Sequence, residues 1–213
     1  MKRHRFTNST GILTIRESDS GGLYQSMLER NAFIRELMDP EVKRVRLQEP
    51  RINYSDALKK RHRYTADLLV EYHSALRRPK VVEVKYTREL VRKPELREKF
   101  IRLKSEFALH SQCFEVVTES EIYAPGFPMM RFIFDYRNNQ PTEVDQAILS
   151  ITRRHAEITL GEILSAVCGD ARVARLQVAT SVWRLVATKQ LTVDFKEILD
   201  ETAKVSVSPV HVN

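Results

Sequence analysis

Two stretches of alternating or β-branched apolar residues lie close together near the middle of the chain. The first runs over residues 63–72 and the second over residues 79–86, where Val81, Val82 and Val84 come in close succession. The short polar and basic segment between the two stretches is typical of a surface turn. The pattern therefore predicts two strands paired as a β-hairpin.

Helical and strand periodicities on either side of this hairpin predict a mixed α/β domain. The predicted elements are a helix over residues 23–38, one or two strands over 41–54, a helix over 94–110 and a strand over 112–118. The apolar stripe of the first helix consists of Tyr24, Met27, Ile34 and Met38. Because Glu29 lies away from this stripe, periodicity alone predicts an exposed acid there. Cys113, within the last strand, is expected to be a buried small hydrophobe.

Residues 138–141, Asn-Asn-Gln-Pro, form the clearest linker, and the pattern beyond them is mostly helical. Three amphipathic helices and a strand follow in the order of a winged helix. We therefore predict three segments: a catalytic domain over residues 1–137, a winged-helix-like domain over 142–195 and a flexible tail over 196–213. The third helix would carry Arg172, Arg175 and Arg184, and the residues leave open whether this domain contacts DNA or protein.

Length and composition limit the number of domains and the cellular compartment of the protein. The chain has 213 residues, of which 42% are hydrophobic, enough for one ordinary domain and a small one. Cys113 and Cys168 are far apart, which indicates a reducing compartment and no zinc site. Because no apolar run has the length of a signal segment or a membrane span, we expect a cytoplasmic protein.

A formal net charge of +7 favours a polyanionic partner, and its placement favours DNA. The basic residues around the hairpin are Lys59, Lys60, Arg61 and Arg63 before it, Arg77 and Arg78 in its turn, and Arg88 after it. We interpret these residues as candidate contacts to DNA phosphates.

Three charged residues of the hairpin are candidates for chemistry. Glu83 and Lys85 are two residues apart, so they share one face of an extended strand, and Asp67 on the paired strand can lie on that face. One interpretation is a strand-edge salt bridge. The other is a Mg²⁺ site, with Mn²⁺ as a substitute, in which the two carboxylates and the carbonyl of Val84 bind the ion. The pattern alone leaves both open.

The wider sequence resembles the TnsA family of the restriction-endonuclease-like superfamily. The motifs that carry the resemblance are Leu28-Glu29-Arg30, Asp39-Pro40-Glu41-Val42, Gln48-Glu49-Pro50, Arg63 to Val70, Val82-Glu83-Val84-Lys85 and Val117-Thr118-Glu119. The resemblance implies a mixed sheet flanked by helices, with Glu29, Asp67 and Glu83 holding Mg²⁺ and Lys85 as the catalytic lysine. It also implies that Gln48 lies near the active-site face. The family commonly has proline where this chain has Ala66, a change that removes no ligand.

The resemblance further implies an endonuclease subunit of a heteromeric cut-and-paste transposase. Such a subunit cuts the 5′ strands at transposon ends, and its partners are the transposase TnsB and the AAA+ regulator TnsC. Two alternatives remain from the residues: a free-standing restriction or repair nuclease with the same site, and a non-catalytic transposition adaptor.

Overall fold

The computed structural model describes residues 10–15, 20–56, 58–168 and 172–209. Residue packing divides the chain into two compact units. The first unit comprises the residues up to Leu37 together with Val42–Ile122, and the second comprises Met38–Glu41 together with the residues from Tyr123 onward. The break thus falls earlier than the predicted domain end at residue 137, because the aromatic segment after Tyr123 packs within the second unit.

The first unit contains strands and helices in a mixed α/β order. Its strands are β1 (Gly11–Thr14), β2 (Gly21–Tyr24), β3 (Val42–Leu47), β4 (Arg51–Ser55), β5 (Arg61–Thr65), β6 (Leu68–Tyr72), β7 (Lys80–Val84) and β8 (Cys113–Val117). Its helices are α1 (Met27–Leu37), α2 (Thr87–Arg92), α3 (Glu95–Leu109) and α4 (Glu119–Ile122).

Six of the described strands form one mixed sheet in the order β1-β2-β3-β6-β7-β8. Strand β6 pairs antiparallel with both β3 and β7, whereas β8 runs parallel to β7. Strands β4 and β5 form a separate antiparallel ribbon. The predicted mixed sheet flanked by helices is confirmed.

The predicted single strand over residues 63–72 is wrong, because the chain leaves the extended ladder at Ala66 and Asp67. Strand β5 pairs with β4, whereas β6 pairs with β3 and β7. At the break, Gln48 N donates to Asp67 O at 2.8 Å and Ala66 N donates to Pro50 O at 3.1 Å. The backbone here therefore bonds to the β3–β4 connection, and Asp67 lies between two strands.

Helix α3 packs on one face of the six-stranded sheet and supplies part of the core of the first unit. Leu103 and Phe107 are fully buried against Leu69 and Val81, which are cross-strand partners on β6 and β7. The two helical residues are four positions apart and therefore lie on the same face of α3. Their burial covers this face of the sheet.

Helix α1 differs from its prediction in length and in how much of its surface is buried. Leu23 and Tyr24 belong to β2, which pairs with β1 and β3, so the helix begins only at Met27. Met27 is 39% exposed, whereas Glu29 is 8% exposed. The predicted exposure of Glu29 is therefore wrong. Ile34 of the predicted stripe is fully buried, but α1 packs against β2, β3, β6 and β7 over a wider surface that also buries Leu28 and Glu29.

Cys113 is exposed, so the prediction that it is a buried hydrophobe is also wrong. It is the first residue of β8, where the next residue, Phe114, points into the core and Cys113 points away from it.

The second unit is a helical layer on a small sheet. Its elements are α5 (Phe127–Phe134), a 3₁₀ helix (Asp135–Asn138), α6 (Asp145–Arg153), β9 (Ile158–Thr159), α7 (Leu160–Cys168), α8 (Arg172–Ala187), β10 (Leu191–Val193) and β11 (Lys204–Val207). The three strands pair antiparallel in the order β10-β11-β9. A capping box begins α7, since Thr159 and Glu162 exchange hydrogen bonds. No helix of the described ranges is long and apolar enough to cross a membrane.

Two expectations for this unit are wrong. The first is the flexible tail over residues 196–213. This segment contains β11, the central strand of the small sheet, whose Val205 is fully buried, so residues 196–209 are not a flexible tail. The second is the candidate DNA contact by Arg184 on the third helix, because Arg184 is buried. Its guanidinium is 4% exposed and donates to buried Asp145, so it serves the core of the unit. Residues 210–213 and the side chain of Arg172 lie outside the described residues.

Candidate active site

The strand ends of the central hairpin bring the predicted charged residues together. Asp67 directly precedes β6, and Glu83 is the penultimate residue of β7, whose register pairs Leu68 with Val82. Val84 N donates to Asp67 Oδ2 at 2.7 Å, which links the two strands beyond their last ladder pair. The side chains of Asp67 and Glu83 are 15% and 6% exposed.

The ammonium group of Lys85 lies among three oxygen atoms of this cluster. Its Nζ is 2.9 Å from Glu83 Oε1, 3.1 Å from the carbonyl oxygen of Val84 and 3.9 Å from Asp67 Oδ2. Burial acts to lower the pKa of Lys85, but the carboxylates of Glu83 and Asp67 outweigh it and raise the pKa above its ordinary value. The sequence left a salt bridge and a Mg²⁺ site as alternatives. In the structure, Lys85 forms the salt bridge with Glu83 and also lies beside the second carboxylate, Asp67, so the ion pair and the carboxylate cluster occur together.

The surroundings of Asp67 disfavour its ionised form. Burial, followed by the nearby charge of Glu83, raises the pKa of Asp67 to about 7. The ammonium of Lys85 and the backbone N–H of Val84 act in the opposite direction, and Glu29 adds a small further increase. A buried acid of this kind, beside a lysine, is typical of functional sites.

Tyr64 is a member of the site that the sequence analysis did not identify. Its hydroxyl donates a hydrogen bond to Glu83 Oε2, so both carboxylate oxygens of Glu83 have partners. Burial, together with the charge of Glu83, raises the pKa of Tyr64 far above its ordinary value, which keeps the hydroxyl protonated. The ring packs edge-on against Phe107 and Phe114, and this packing holds the hydroxyl in place. Alternation along β5 predicts the burial of Tyr64, but no local signal indicates its partner.

Glu29 is held at the N-terminus of α1 and reaches the site through Gln48. Its carboxylate accepts from Gln25 N at 2.8 Å and from Ser26 Oγ at 3.0 Å, the pattern of a capping box. Gln48 Nε2 lies 3.4 Å from Glu29 Oε2, while Gln48 N donates to Asp67 O. Gln48 therefore connects Glu29 to Asp67, close to the site as the resemblance implied. The Ser26-x-x-Glu29 spacing is a local signal of this capping role.

The donor atoms of the site suit a hard divalent cation. Two carboxylates and one backbone carbonyl surround the ammonium of Lys85, so these oxygens already face a common positive charge. Oxygen ligands of this type are those that Mg²⁺ prefers. Within the described residues, however, no group of three His, Cys, Asp or Glu side chains is arranged to hold a metal ion. Glu29 in particular is engaged with the start of its own helix.

Two further acids of the first unit have structural roles. Glu36 forms an ion pair with Lys80 at 2.7 Å, at the end of β7 opposite to Glu83, so it does not belong to the site. Glu119 accepts from Thr87 N at 2.8 Å and thereby fixes the start of α2.

The predicted DNA-contacting residues fall in three places. Lys59, Lys60, Arg61 and Arg63 are exposed on the β4–β5 ribbon, Arg88 is exposed at the start of α2, and Arg77 and Arg78 are exposed in the β6–β7 turn. This turn lies at the end of the hairpin opposite to Asp67 and Glu83. The guanidinium of Arg77 lies 3.6 Å from the centre of the Tyr72 ring.

Ala66 shows why this chain lacks proline before the aspartate. Ala66 is fully buried, and its N–H donates to the carbonyl of Pro50. A proline at this position would remove the donor and leave that carbonyl without this bond.

The geometry brings Asp67, Glu83 and Lys85 together at one end of the β6–β7 hairpin, and the comparison with protein families indicates an endonuclease. The model of the TnsA-like endonuclease N-terminal domain matches residues 39–158, more than half of the chain. The chain therefore belongs to the TnsA-like endonuclease family. The matched residues include Asp67, Glu83 and Lys85, whereas Glu29 precedes them. No curated protein matches the chain at a significant level.

Proposed function

We propose that this protein is a Mg²⁺-dependent DNA endonuclease that acts in cut-and-paste transposition and cleaves the 5′ strands at transposon ends. The observation that carries the proposal is the convergence of Asp67, Glu83, Lys85 and the Val84 carbonyl at one end of the β6–β7 hairpin. Membership of the TnsA-like endonuclease family supports the reaction class.

Asp67, Glu83 and the Val84 carbonyl would hold the cation, with Glu29 completing the set by leaving its capping interaction. Mg²⁺ held by these oxygens, or Mn²⁺ in its place, would supply Lewis-acid chemistry for polarising a phosphodiester and activating a water molecule. The ammonium of Lys85 orients the attacking water and stabilises negative charge that develops on the phosphate oxygens. Tyr64 holds the orientation of Glu83 through its hydrogen bond.

The second unit has the element order and strand order of a winged helix, and we propose that it is one. Helix α6, strand β9, helices α7 and α8, and strands β10 and β11 follow in that order, with β11 between its two partners. Because Arg184 is buried, any contact of α8 with DNA would have to use other residues. We propose this unit as the docking site for either DNA or a protein partner.

By family membership we propose that the protein works in the cytoplasm with a transposase of the TnsB type and an AAA+ regulator of the TnsC type. A supercoiled DNA that carries the transposon ends, incubated with Mg²⁺, tests the whole proposal. The protein is assayed alone and with both partners, and Asp67→Ala is run beside the wild type.

We expect cleavage of the 5′ strands only in the complete mixture, with none in the variant. Cleavage by the protein alone would favour a free-standing nuclease. Absence of cleavage with the partners still bound would favour an adaptor. Cleavage by Asp67→Ala would show that the site lies elsewhere.

A further inference from the structure

The β4–β5 ribbon has one strongly basic face. The cross-strand pairs of this face are Arg51 with Thr65, Asn53 with Arg63 and Ser55 with Arg61. Each pair contributes one arginine, and all three arginines are exposed. None of the three forms an ion pair with a carboxylate of the described residues. The two lysines at the tip, Lys59 and Lys60, are also exposed.

The opposite face of the ribbon anchors it to the domain. Its residues are Ile52, Tyr54, His62 and Tyr64, which alternate with the arginine face. Tyr64 is buried in the core cluster, and Ile52 and Tyr54 pack against that cluster. The ring of His62 stacks on Tyr54 at 5.4 Å. A two-stranded ribbon is only marginally stable by itself, so this packing is what makes the basic face a fixed surface.

The tip of the ribbon is also ordered, through Asp56. Its Oδ1 accepts from Leu58 N at 2.9 Å and from Lys60 N at 3.0 Å, and its Oδ2 lies 2.8 Å from His62 Nε2. The one acid of the tip is thus engaged by the backbone and by His62. It does not neutralise the arginines.

The ribbon begins and ends at the active site. Strand β5 ends at Thr65, two residues before Asp67, and β4 begins three residues after Gln48, whose N–H donates to Asp67 O. The arginine pairs extend over about 14 Å along the ribbon, because four residues of an antiparallel strand rise about 3.4 Å each. This span slightly exceeds the roughly 12 Å width of the major groove, which admits a two-stranded ribbon.

From this geometry we propose that the arginine face of the β4–β5 ribbon is the surface that seats duplex DNA in the major groove beside the catalytic cluster. Arg51, Arg61 and Arg63 contact phosphates on both sides of the groove. Asn53 places a neutral amide between them, where it can reach base edges. This inference deepens the proposed nuclease function and rests on it for its biological meaning, but its test measures binding alone.

The experiment measures binding of the full-length protein to a fluorescein-labelled DNA duplex by anisotropy. Ca²⁺ replaces Mg²⁺ so that binding is measured without cleavage, and salt is varied between about 50 and 200 mM. The variant is Arg61→Ala/Arg63→Ala. The matched control is Arg97→Ala/Lys104→Ala, which removes two exposed positive charges from α3 of the same unit. A charge-retaining variant, Arg61→Lys/Arg63→Lys, separates loss of charge from loss of structure.

We expect the ribbon variant to bind roughly tenfold more weakly at 100 mM salt. The slope of log K against log salt should become less steep by about two, because two phosphate contacts are removed. The α3 control keeps the wild-type slope, and the lysine variant recovers most of it. Asn53→Ala leaves the slope unchanged, because it removes no charge. Circular dichroism of each variant reports whether the fold is retained.

Equal slopes for the ribbon variant and the α3 control would overturn the inference, as would absence of DNA binding by the wild type. The proposed function fails separately. If the wild type binds through the ribbon but never cuts with its partners and Mg²⁺, the ribbon assignment stands and the nuclease proposal is wrong. If it cuts and the ribbon variant binds as well as the control, only the ribbon assignment is wrong.

Discussion

Replacing Asp67 by asparagine should stabilise the metal-free protein while it abolishes cleavage. The buried carboxylate of Asp67 lies beside Glu83, and these two acids share a single nearby ammonium. Asparagine has almost the same shape, and its side-chain oxygen can still accept the hydrogen bond from Val84 N. The substitution therefore removes a charge with little change in packing.

The magnitude follows from the pKa of Asp67, which burial and Glu83 raise from 3.8 to about 7. This difference corresponds to a ceiling of about 4 kcal/mol at pH values above 7. Loss of the attraction to Lys85 offsets part of the gain, so we expect an increase in unfolding free energy of about 1–3 kcal/mol. For a chain of this length, that increase corresponds to roughly 2–7 °C in Tm.

The pH dependence has a defined sign. Because the folded protein has the higher pKa, its Asp67 carboxylate becomes increasingly unfavourable as the pH rises from about 4 to about 7. The advantage of Asp67→Asn over the wild type should therefore be small at pH 4, grow through this window and level off above pH 7. Calorimetry in EDTA measures it, and added Mg²⁺ should raise the Tm of the wild type more than that of the variant.

Glu36→Gln is the matched control, since Glu36 is a similarly buried carboxylate but has Lys80 as a close partner at 2.7 Å. This change should lower stability, because it removes the nearest carboxylate from Lys80 and leaves its ammonium with only the more distant Glu115, at 3.9 Å. If Asp67→Asn were instead destabilising at pH 8 in EDTA, or if its advantage decreased with rising pH, the electrostatic account of the cluster would be refuted.

Two further substitutions test other groups. Tyr64→Phe removes the donor to Glu83, so it should lower stability by about 1–3 kcal/mol and weaken Mn²⁺ binding, as measured by calorimetric titration. Tyr72→Phe, at the far end of β6, should leave Mn²⁺ binding unchanged. If the two substitutions weakened Mn²⁺ binding equally, Tyr64 would not be a positioning residue for Glu83. Lys189→Met removes a buried lysine whose pKa burial and Arg137 lower to about 7. Because the unfolded chain binds this proton below about pH 10.5 and the folded chain only below about 7, the wild type loses stability over this window as pH falls. The variant should be more stable by about 1–3 kcal/mol at pH 7, with a gain that disappears towards pH 10 in thermal melts; a gain that persists at pH 10 would contradict this cause.

Much of the local structure could be predicted from the sequence because its signals are short-range. The stripe of Leu103 and Phe107 and the capping box of Thr159 and Glu162 depend on residues a few positions apart, and the structure contains both. The spacing of Glu83 and Lys85 likewise places them on one face of an extended strand, and the structure contains this pair.

Predictions that depended on long-range pairing were the ones that failed. Alternation continues through Ala66, so no local signal shows that β5 and β6 pair with different strands. The periodicity of α1 correctly indicated the burial of Ile34 but not that of Glu29, because the strands against which the helix packs determine how much of its surface is covered. Only the order of the family motifs indicated a role for Glu29 at the site, and the structure adds its capping contacts with Gln25 and Ser26.

The sequence by itself determined which chemical groups are present and which lie within a few residues of each other: an acid before one strand, an acid and a lysine in the next, and a cluster of basic residues. Tertiary structure alone decided that Tyr64 donates to Glu83 and that three arginines share one face of a ribbon. It also decided that Asp67 is buried enough to raise its pKa. The physical reason is that burial and cross-strand register are set by the whole sheet and α3, whereas side-chain spacing is set by the local backbone.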